Sequence, residues 1–382
     1  MKLPCMRILF VSRAYPPITG GIENHNAGLA RALGCAAERT LVANTRGKKF
    51  LPLFLPWAML RMLFECRRHD VVLLGDGVLA PLGALLKRFV PRTRVACVIH
   101  GLDVSFATKP GLLAAAYAWI NLPALRRLDM LVAVGRATVE VAIAHGVPRE
   151  RCRFIPNGIF PEEFAARPPR SALEALLGMP LAGKRVVVRV GRYVTHKGVA
   201  WFIREVMPRL PADVLFVAAG PVVAARAAGD AGCYEDCLRA VEANGLSDRV
   251  RLLTTLPWDQ VKLLYSTADV VVSPNVRIPG SMEGFGINVI EAAASEAPVV
   301  AARIDGLQDA IEDGLNGFLV EPADGQAFAE RINALLDDES GRRAFGERAC
   351  ADVGVRFGWP TIAARYLELF RELESNNASR PV

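Results

Sequence analysis

The sequence lacks the features of several large protein classes. Only 22% of its 382 residues are charged and 7% are aromatic, while 52% are hydrophobic, which excludes a disordered or coiled-coil chain. No apolar run reaches the roughly 18 residues of a membrane-spanning helix, and the N-terminal run at residues 8–11 is too short for a signal peptide. These absences predict a globular protein that is neither exported nor inserted across a membrane, and the length allows two domains.

Paired metal-binding motifs are also missing. The eight cysteines include no Cys-x-x-Cys pair, and the 17 aspartates include no Asp-x-Asp pair. Irregular cysteine spacing of this kind favours reduced thiols in the cytoplasm over a disulfide framework or a metal site. Nucleic acid is a partner that the pI of about 9.1 could suggest, but no helix-turn-helix, RNP-like or zinc-finger pattern is present. We therefore expect no metal and no nucleic acid.

The net charge of +7 is unevenly distributed along the chain. Residues 1–182 contain 24 Lys and Arg against 12 Asp and Glu, whereas residues 183–382 contain 22 against 27. This division indicates that the two halves meet different partners.

Apolar segments followed by glycine loops and helical patterns recur in both halves of the chain. Residues 6–12 are the first such segment, and residues 184–190 restart the series before Gly191. Continuously apolar strands that alternate with helices are typical of parallel sheets covered on both faces. The sequence predicts an α/β protein with two Rossmann-like domains, residues 1–165 and 180–358, facing a central cleft in which a ligand binds. Residues 161–184 form the expected linker, and a C-terminal helix at about 359–375 is expected to cross back to the first domain.

The most informative stretch is Glu283-Gly-Phe-Gly-Ile-Asn-Val-Ile-Glu291, which follows the predicted strand at residues 270–273. Gly284 and Gly286 allow close backbone approach, and backbone N–H groups at a helix start favour anions or hydroxyl oxygens. Glu291 lies two helical turns after Glu283 and within an apolar face, so it is expected to point inward. A buried carboxylate needs a partner, and the two O–H donors of a ribose diol are suitable.

This stretch resembles the signature of the retaining glycosyltransferases of the GT-B fold, family 4 (glycosyl transferases group 1), in which two glutamates flank a Gly-Phe-Gly turn. Other parts of the chain extend the resemblance. Gly191-Arg192 and Lys197-Gly198 match the family's Gly-Arg-x4-Lys-Gly turn, whose cations can neutralise the charge on a departing diphosphate.

Two loops of the first domain also match the family. Gly20-Gly21-Ile-Glu23-Asn-His25 resembles its Gly-Gly-x-Glu-x-His segment, and His100-Gly101-Leu-Asp103 resembles its His-Gly-x-Asp segment. Two matches are incomplete. Phe160 stands where the family's Asn-Gly-x-Asp turn has its aspartate, and residues 301–309 keep only Gly306 of a glycine pair. Residues 222–233 cannot be aligned.

The resemblance implies a hexosyltransferase that moves a sugar from a UDP- or GDP-sugar, as substrate, with retention of configuration and with neither cofactor nor metal. In that scheme the leaving phosphate accepts the acceptor's proton, Glu283 positions sugar hydroxyls and Glu291 holds the ribose. Implied catalytic residues are His100, Arg192, Lys197 and Glu283. Implied donor-binding residues are Gly20, Gly21, Arg192, Lys197, Gly284, Phe285, Gly286, Ile287 and Glu291, and the acceptor-side residues are Glu23, His25 and Asp103.

A basic segment at residues 39–68 carries seven cations against a single acid and is interleaved with apolar and aromatic residues. This composition suits an anionic membrane surface, and it equally suits helices that cover a sheet with solvated basic faces. We expect a phosphorylated or lipid-linked glycan acceptor and a cytoplasmic location, with peripheral contact at the inner face of the cytoplasmic membrane as the extension. The expected products are cell-envelope polysaccharide, lipopolysaccharide or glycolipid.

Two other functions fit the predicted fold. A nucleotide-sugar epimerase or other nucleotide-dependent enzyme is the alternative, with a weak Gly-x-Gly-x-x-Ala match at residues 75–80. A non-catalytic binding subunit is expected to lose Glu283, Arg192 or Lys197, and all three are present.

Overall fold

A computed structural model describes residues 6–18, 20–108, 111–223 and 232–378. The chain divides into two compact units. The first unit comprises residues 1–159, 280–285 and 357–382, and the second comprises residues 160–279 and 286–356. Most of residues 222–233, the segment that cannot be aligned with the family's sequence pattern, lies outside the described residues.

The first unit is built on a six-stranded parallel sheet in the order β2-β1-β3-β4-β5-β6. The central strands are buried along their whole length, as expected where helices cover both faces. Its strands are β1 (Arg7–Ser12), β2 (Glu38–Ala43), β3 (Val71–Leu74), β4 (Val95–Ile99), β5 (Met130–Ala133) and β6 (Cys152–Phe154). Its helices are α1 (Gly21–Ala36), α2 (Leu51–Glu65), α3 (Ala80–Phe89), α4 (Leu102–Ser105), α5 (Leu112–Leu125) and α6 (Arg136–Ala144).

The second unit has its own six-stranded parallel sheet in the order β12-β11-β10-β7-β8-β9. Its strands are β7 (Arg185–Val190), β8 (Val214–Ala219), β9 (Val250–Leu253), β10 (Val270–Ser273), β11 (Val299–Ala302) and β12 (Phe318–Val320). Its helices are α7 (Arg170–Leu177), α8 (Val199–Glu205), α9 (Cys233–Ala243), α10 (Trp258–Thr267), α11 (Ile287–Ala294), α12 (Leu307–Ala310), α13 (Gly325–Asp337) and α14 (Glu339–Phe357). The predicted two-domain α/β fold is confirmed.

The last helix, α15 (Trp359–Ala378), belongs to the first unit and packs against α1. Backbone hydrogen bonds from Ile159 N to Phe357 O (2.8 Å) and from Trp359 N to Ile159 O (2.9 Å) fix its start. The indole of Trp359 lies where a side chain at Gly28 or Gly158 would overlap it. Small residues at both positions therefore make the slot that holds this helix.

The expected linker at residues 161–184 is folded. It contains α7, whose Leu173 is fully buried, and Arg170 at the start of α7 donates to the carbonyl of Lys184 at 2.5 Å. In the described part of the chain no helix is long and apolar enough to span a bilayer, and no two cysteines form a disulfide. Cys5 lies outside the described residues.

Candidate active site

The order of strands reverses at one point in each sheet, and the candidate residues lie at these points. In the first unit the chain leaves β1 towards β2 and returns to β3 on the other side of β1. In the second it leaves β7 towards β8 and later returns to β10 on the other side of β7. Ligands of open α/β sheets bind outside the carboxyl ends of the strands at such points. The loops after β1, β3 and β4, and those after β7 and β10, are therefore the candidate ligand-binding loops.

The loop after β1 ends at Gly20, which precedes the first residue of α1. The carboxylate of Glu23 lies over Gly20, where a side chain at Gly20 would overlap it, whereas the space around Gly21 is open. Asn26 secures the loop by donating to Ser12 Oγ at 2.9 Å. An unobstructed backbone at Gly21, at the start of a 16-residue helix, suits an anionic ligand.

His100 follows β4 and is held from two directions. Its backbone N–H donates to Asp103 Oδ2 at 2.9 Å, and its Nε2 lies 3.0 Å from the carbonyl oxygen of Gly75. Because a carbonyl only accepts, Nε2 donates this hydrogen bond, which leaves Nδ1 as the ring nitrogen that can meet a ligand. Asp103 is buried and also accepts from the backbone of Gly77 at 3.2 Å, so its carboxylate shapes the loop that presents His100.

His25 lies inside the unit instead of at the surface expected of an acceptor contact. Only 1% of it is exposed, and its ring packs edge-on against His100, with the ring centroids 4.9 Å apart, and against Trp359 at 5.4 Å. Burial lowers the pKa of His25 well below its usual value, the neighbouring His100 lowers it further, and the side chain of Asn157 partly opposes this. A neutral His25 therefore supports the ring of His100.

Residues 280–285, which the sequence placed in the second domain, belong to the first unit. Gly284 lies so close to His100 that a side chain on it would overlap the His100 carbonyl oxygen. Phe285 is buried, with its ring 5.6 Å from that of Phe357. The absence of a side chain at Gly284 permits this approach, and it brings the half-buried Glu283 into the same unit as His100.

In the second unit the loop from Gly191 to Gly198 meets the chain that leaves β10. The backbone N–H of Val276 donates to the carbonyl of His196 at 2.9 Å. Arg192 is exposed and Lys197 is half-buried, so both cations are accessible to a ligand at this edge. Arg189, at the end of β7, is fully buried and donates to the carbonyls of Gly191 and Arg192, which fixes the start of the loop.

Glu291 is buried on α11, as the sequence predicts. Tyr265 of α10, also buried, donates from its hydroxyl to Glu291 Oε2 at 3.0 Å. Burial raises the pKa of Glu291 to about 7, although the hydrogen bond from Tyr265 opposes this shift. Gly286, directly before α11, has a φ of 87° and packs against Leu307. The folded chain therefore keeps the proton of Glu291 to a higher pH than an exposed glutamate does.

The structure thus brings the candidate residues together in two groups. The first unit contains Gly20, Gly21, Glu23, His25, His100, Asp103, Glu283, Gly284 and Phe285, and the second contains Arg192, Lys197, Gly286, Ile287 and Glu291. Within the described residues no cluster of three His, Cys, Asp or Glu side chains has the arrangement of a metal site.

Two family models match this arrangement over consecutive parts of the chain. Residues 7–158 match the glycosyl transferase 4-like domain, and residues 180–351 match the glycosyl transferases group 1. The chain is a group 1 glycosyltransferase of family 4. The match covers most of both units, so the resemblance carried by the sequence motifs is confirmed.

Several proteins are similar to this glycosyltransferase. D-inositol 3-phosphate glycosyltransferase of Corynebacterium urealyticum is 33% identical over 255 residues, which is 64% of this chain and 57% of that protein. GDP-mannose-dependent alpha-(1-6)-phosphatidylinositol monomannoside mannosyltransferase of Mycolicibacterium smegmatis is 27% identical over 95% of this chain and 97% of its own. The structure of Anabaena Alr3699/HepE in complex with UDP-glucose superposes with a TM-score of 0.77 at 21% identity, covering 96% of this chain and 100% of that one. The matched region is thus little more than half the length of the first of these relatives.

The glycosyltransferase also has polar groups near the site that sequence reasoning missed. Arg13 and Asp76 form an ion pair (2.8 Å) directly after β1 and β3, with the Asp76 side chain fully buried. Burial raises the pKa of Asp76 even though Arg13 opposes the shift. In the second unit, Tyr265 of α10 and Arg189 of β7 were missed as well. Position after a strand was the available signal for Arg13 and Asp76, whereas nothing in the sequence marked Tyr265 as a partner of Glu291.

Proposed function

We propose that this glycosyltransferase moves a sugar from a nucleotide diphosphate sugar to a glycan acceptor with retention of anomeric configuration. The observation that carries the proposal is the loop with Arg192 and Lys197, at the point where the strand order of the second sheet reverses, in the same unit as buried Glu291. Two accessible cations suit a diphosphate, and a carboxylate with a pKa of about 7 suits a ribose diol.

The proposed donor is a UDP- or GDP-sugar. The names of two similar proteins support this choice, since one is GDP-mannose-dependent and the other was crystallised with UDP-glucose. Glu291 in its ionised form accepts hydrogen bonds from both ribose hydroxyls. Arg192 and Lys197 face the diphosphate oxygens, and the backbone at Gly21 and Gly286 approaches the phosphates and the sugar.

The proposed transfer breaks the bond between the anomeric carbon and the diphosphate oxygen, and the bonding electrons remain on that oxygen. The acceptor hydroxyl attacks from the face that the diphosphate leaves, and its proton passes to the departing phosphate. Arg192 and Lys197 stabilise the charge that develops on the diphosphate. Glu283 positions the sugar hydroxyls, and Nδ1 of His100 accepts a hydrogen bond from another. No protein nucleophile is needed in this scheme.

The proposed acceptor is a phosphorylated or lipid-linked glycan of the cell envelope, such as a polysaccharide, lipopolysaccharide or glycolipid precursor. The basic character of residues 1–182 supports an anionic acceptor. We place the enzyme in the cytoplasm, with peripheral contact at the inner face of the cytoplasmic membrane. The family matches do not favour the epimerase alternative.

Thermal-shift titration with UDP-, GDP-, ADP- and TDP-sugars tests the donor proposal. A selective ligand increases the free energy of unfolding by RT ln(1 + [L]/Kd) and so raises the melting temperature. We expect one nucleotide series to stabilise the protein, and NMR of the product formed from an α-linked donor to show an α-linkage. If none of the four series shifts the melting curve, the nucleotide-sugar proposal is wrong, and a β-linked product excludes retention.

A further inference from the structure

Helix α5 has an unusual surface for a helix on the outside of a protein. Its 14 residues include no charged side chain. Leu112, Leu113, Trp119 and Ile120 point outward, with 91% of Leu112 and 81% of Trp119 exposed. A helix that is apolar all round is normally buried in protein or lipid. At about 21 Å, α5 is too short to span a bilayer core of about 30 Å.

Helix α2 has two apolar faces. Phe54, Ala58 and Met62 form the inner face and are buried against the sheet. The outer face carries Leu53, Trp57, Leu60 and Phe64, all exposed, at the 3–4-residue spacing of a helical stripe. The sequence left two interpretations of residues 39–68 open, contact with a membrane and helices with solvated basic faces, and the exposed face of α2 is apolar.

The two outer faces are joined by α3, which packs against both helices and exposes Leu85 and Phe89. These three helices carry ten of the fifteen large apolar side chains that are exposed in the described part of the chain. We call these ten the apolar face. Apolar surface of this extent on one side of a protein marks an interaction site. The ten residues are Leu53, Trp57, Leu60, Phe64, Leu85, Phe89, Leu112, Leu113, Trp119 and Ile120.

Positive charge surrounds the apolar face. Residues 45–128 contain thirteen Lys and Arg against four acids. Each of the three helices is followed or ended by exposed arginines, which are Arg67 and Arg68 after α2, Arg88 at the end of α3, and Arg126 and Arg127 after α5. Each of these helices runs back to the start of the next parallel strand. Their C-terminal ends therefore lie together at the amino ends of the strands. The arginines therefore form a basic row beside the apolar face.

The four acids of this region do not neutralise that row. Glu65 pairs with Arg61, Asp70 with Arg7, and Asp76 with Arg13. Asp103 is buried and accepts from backbone N–H groups. The described surface around the apolar face consequently keeps a strong excess of positive charge.

We propose that the apolar face docks into the surface of a bilayer that contains anionic lipid, with the basic row on the lipid phosphates. Apolar and aromatic side chains flanked by arginines are the combination that binds the interface of such a membrane. A second copy of the chain fits less well, because two surfaces with the same excess of positive charge repel each other. The proposal rests on the peripheral location given above and not on the transfer reaction.

The inner side of α5 connects the apolar face to the candidate active site. Tyr117 donates from its hydroxyl to the carbonyl of Asp103 at 2.8 Å, and Asn121 donates to the carbonyl of Gly77 at 3.0 Å. Asp103 and Gly77 belong to the loops that hold His100. Docking of α5 on a bilayer therefore holds the His100 loop in a fixed orientation to the lipid surface, where a lipid-linked acceptor lies.

Flotation of the full chain with vesicles tests this proposal without donor or acceptor. Vesicles of phosphatidylcholine alone are compared with vesicles that also contain phosphatidylglycerol. We expect binding to the anionic vesicles, reduced at least about tenfold by Leu112→Ser with Leu113→Ser, because the burial of two leucine side chains in lipid is lost. Val355→Ser with Leu238→Ser is the matched control, since both residues are exposed in the second unit, and it should bind like the original chain.

Charge and depth are measured separately. Arg67→Glu with Arg68→Glu should remove the preference for anionic vesicles, whereas Arg204→Glu with Arg209→Glu in the second unit should not. Lipids with brominated acyl chains should quench the fluorescence of Trp119, so Trp119→Phe should lower the quenched fraction and Trp258→Phe should not.

Equal binding by all variants, or no binding by any, overturns the proposal. So does a dimer that the Leu112→Ser, Leu113→Ser variant dissociates in the absence of vesicle binding. Nucleotide-sugar thermal shifts on the same variants report on donor binding independently.

Discussion

Each of the two units contains its own six-stranded parallel sheet, but the helices that cover the two sheets expose different surfaces. In the first unit the helices α2, α3 and α5 expose an apolar layer with a basic row, and most described ion pairs of the chain lie elsewhere. In the second unit exposed apolar residues are scattered singly, and pairs such as Arg185 with Asp213 and Arg303 with Asp313 cross its surface. Scattered apolar residues are ordinary on a soluble surface, whereas a continuous layer is not. The same fold therefore carries two different surfaces, and this fits one unit for the acceptor and one for the donor.

The two units also differ in the polar groups that they bury. The first unit buries a neutral histidine, His25, behind His100, and the second buries a carboxyl, Glu291, beneath Tyr265. Burial favours the neutral form of both side chains. It therefore lowers the pKa of His25 and raises the pKa of Glu291. The two units are therefore expected to respond to pH in opposite directions.

Removal of the cations of the second unit should have the largest effect. Arg192→Ala or Lys197→Ala should slow transfer by about 10²–10³-fold, because each loses stabilisation of the departing diphosphate. Folding should change by less than about 0.5 kcal/mol, since neither side chain is buried. Initial transfer rates and urea unfolding provide the two measurements.

Arg204→Ala is the matched control, because Arg204 is an exposed arginine of the same unit on α8. It should keep full activity. If Arg192→Ala and Lys197→Ala lose stability as much as activity, the two cations have a structural role and the donor assignment of the second unit fails.

The raised pKa of Glu291 should make the second unit less stable as pH rises. The pKa of Glu291 is about 7 in the folded chain and 4.5 in the unfolded one, so the folded state binds the extra proton between these values. The free energy of unfolding should therefore fall from about pH 4.5 to pH 7, by about 3 kcal/mol from this group alone. Urea unfolding at several pH values should show this fall in the original chain and not in Glu291→Gln, while Glu347→Gln, an exposed control, should retain it.

Nucleotide binding sharpens the same prediction. If ionised Glu291 accepts from a ribose diol, the affinity for the nucleotide should increase as pH rises through 7. Tyr265→Phe should move that increase to higher pH, because the hydrogen bond from Tyr265 lowers the pKa of Glu291. Affinity that is independent of pH in both the original chain and Tyr265→Phe would show that Glu291 does not bind the ribose.

Gly284→Ala tests whether residues 280–285 belong with the first unit. The added methyl overlaps the carbonyl oxygen of His100, so the loop must shift, at a cost of about 1–3 kcal/mol. Urea unfolding measures the cost, and hydrogen exchange of peptides around His100 should increase. Gly21→Ala is the control, because the space there is open. It should fold normally, and lose activity only if a ligand approaches that backbone; normal stability of Gly284→Ala would contradict the close packing.

The smallest expected effect is that of His25 in the first unit. Its pKa lies below the value of 6.5 that it has when unfolded, so the unfolded state binds the proton first as pH falls. Stability should therefore decrease below pH 6.5 by up to about 1.4 kcal/mol per pH unit, opposite in sign to the Glu291 effect. His25→Phe should remove this decrease and His145→Gln should not. An unchanged acid limb in His25→Phe would show that His25 does not titrate as a buried base.

The sequence predicted the central strands of both sheets, but of the four edge strands it predicted only β9. Central strands such as β3 and β8 are continuous apolar runs because both of their faces are buried. The edge strand β2 has only one fully buried residue, so Glu38 and Arg39 interrupt any apolar pattern and the strand was not predicted. The short edge strand β6 was missed for the same reason.

Local motifs alone determined the family, the fold class and the identities of Arg192, Lys197, Glu283 and Glu291, because glycine turns and charged residues after strands are visible in one dimension. Tertiary structure decided what surrounds them. Only packing placed Gly284 on His100, Tyr265 on Glu291 and His25 behind His100. It also decided which faces of α2 and α5 are covered. The identity of an apolar residue does not show whether a neighbour buries it or water surrounds it. The difference between the surfaces of the two units could therefore be seen only in the folded chain.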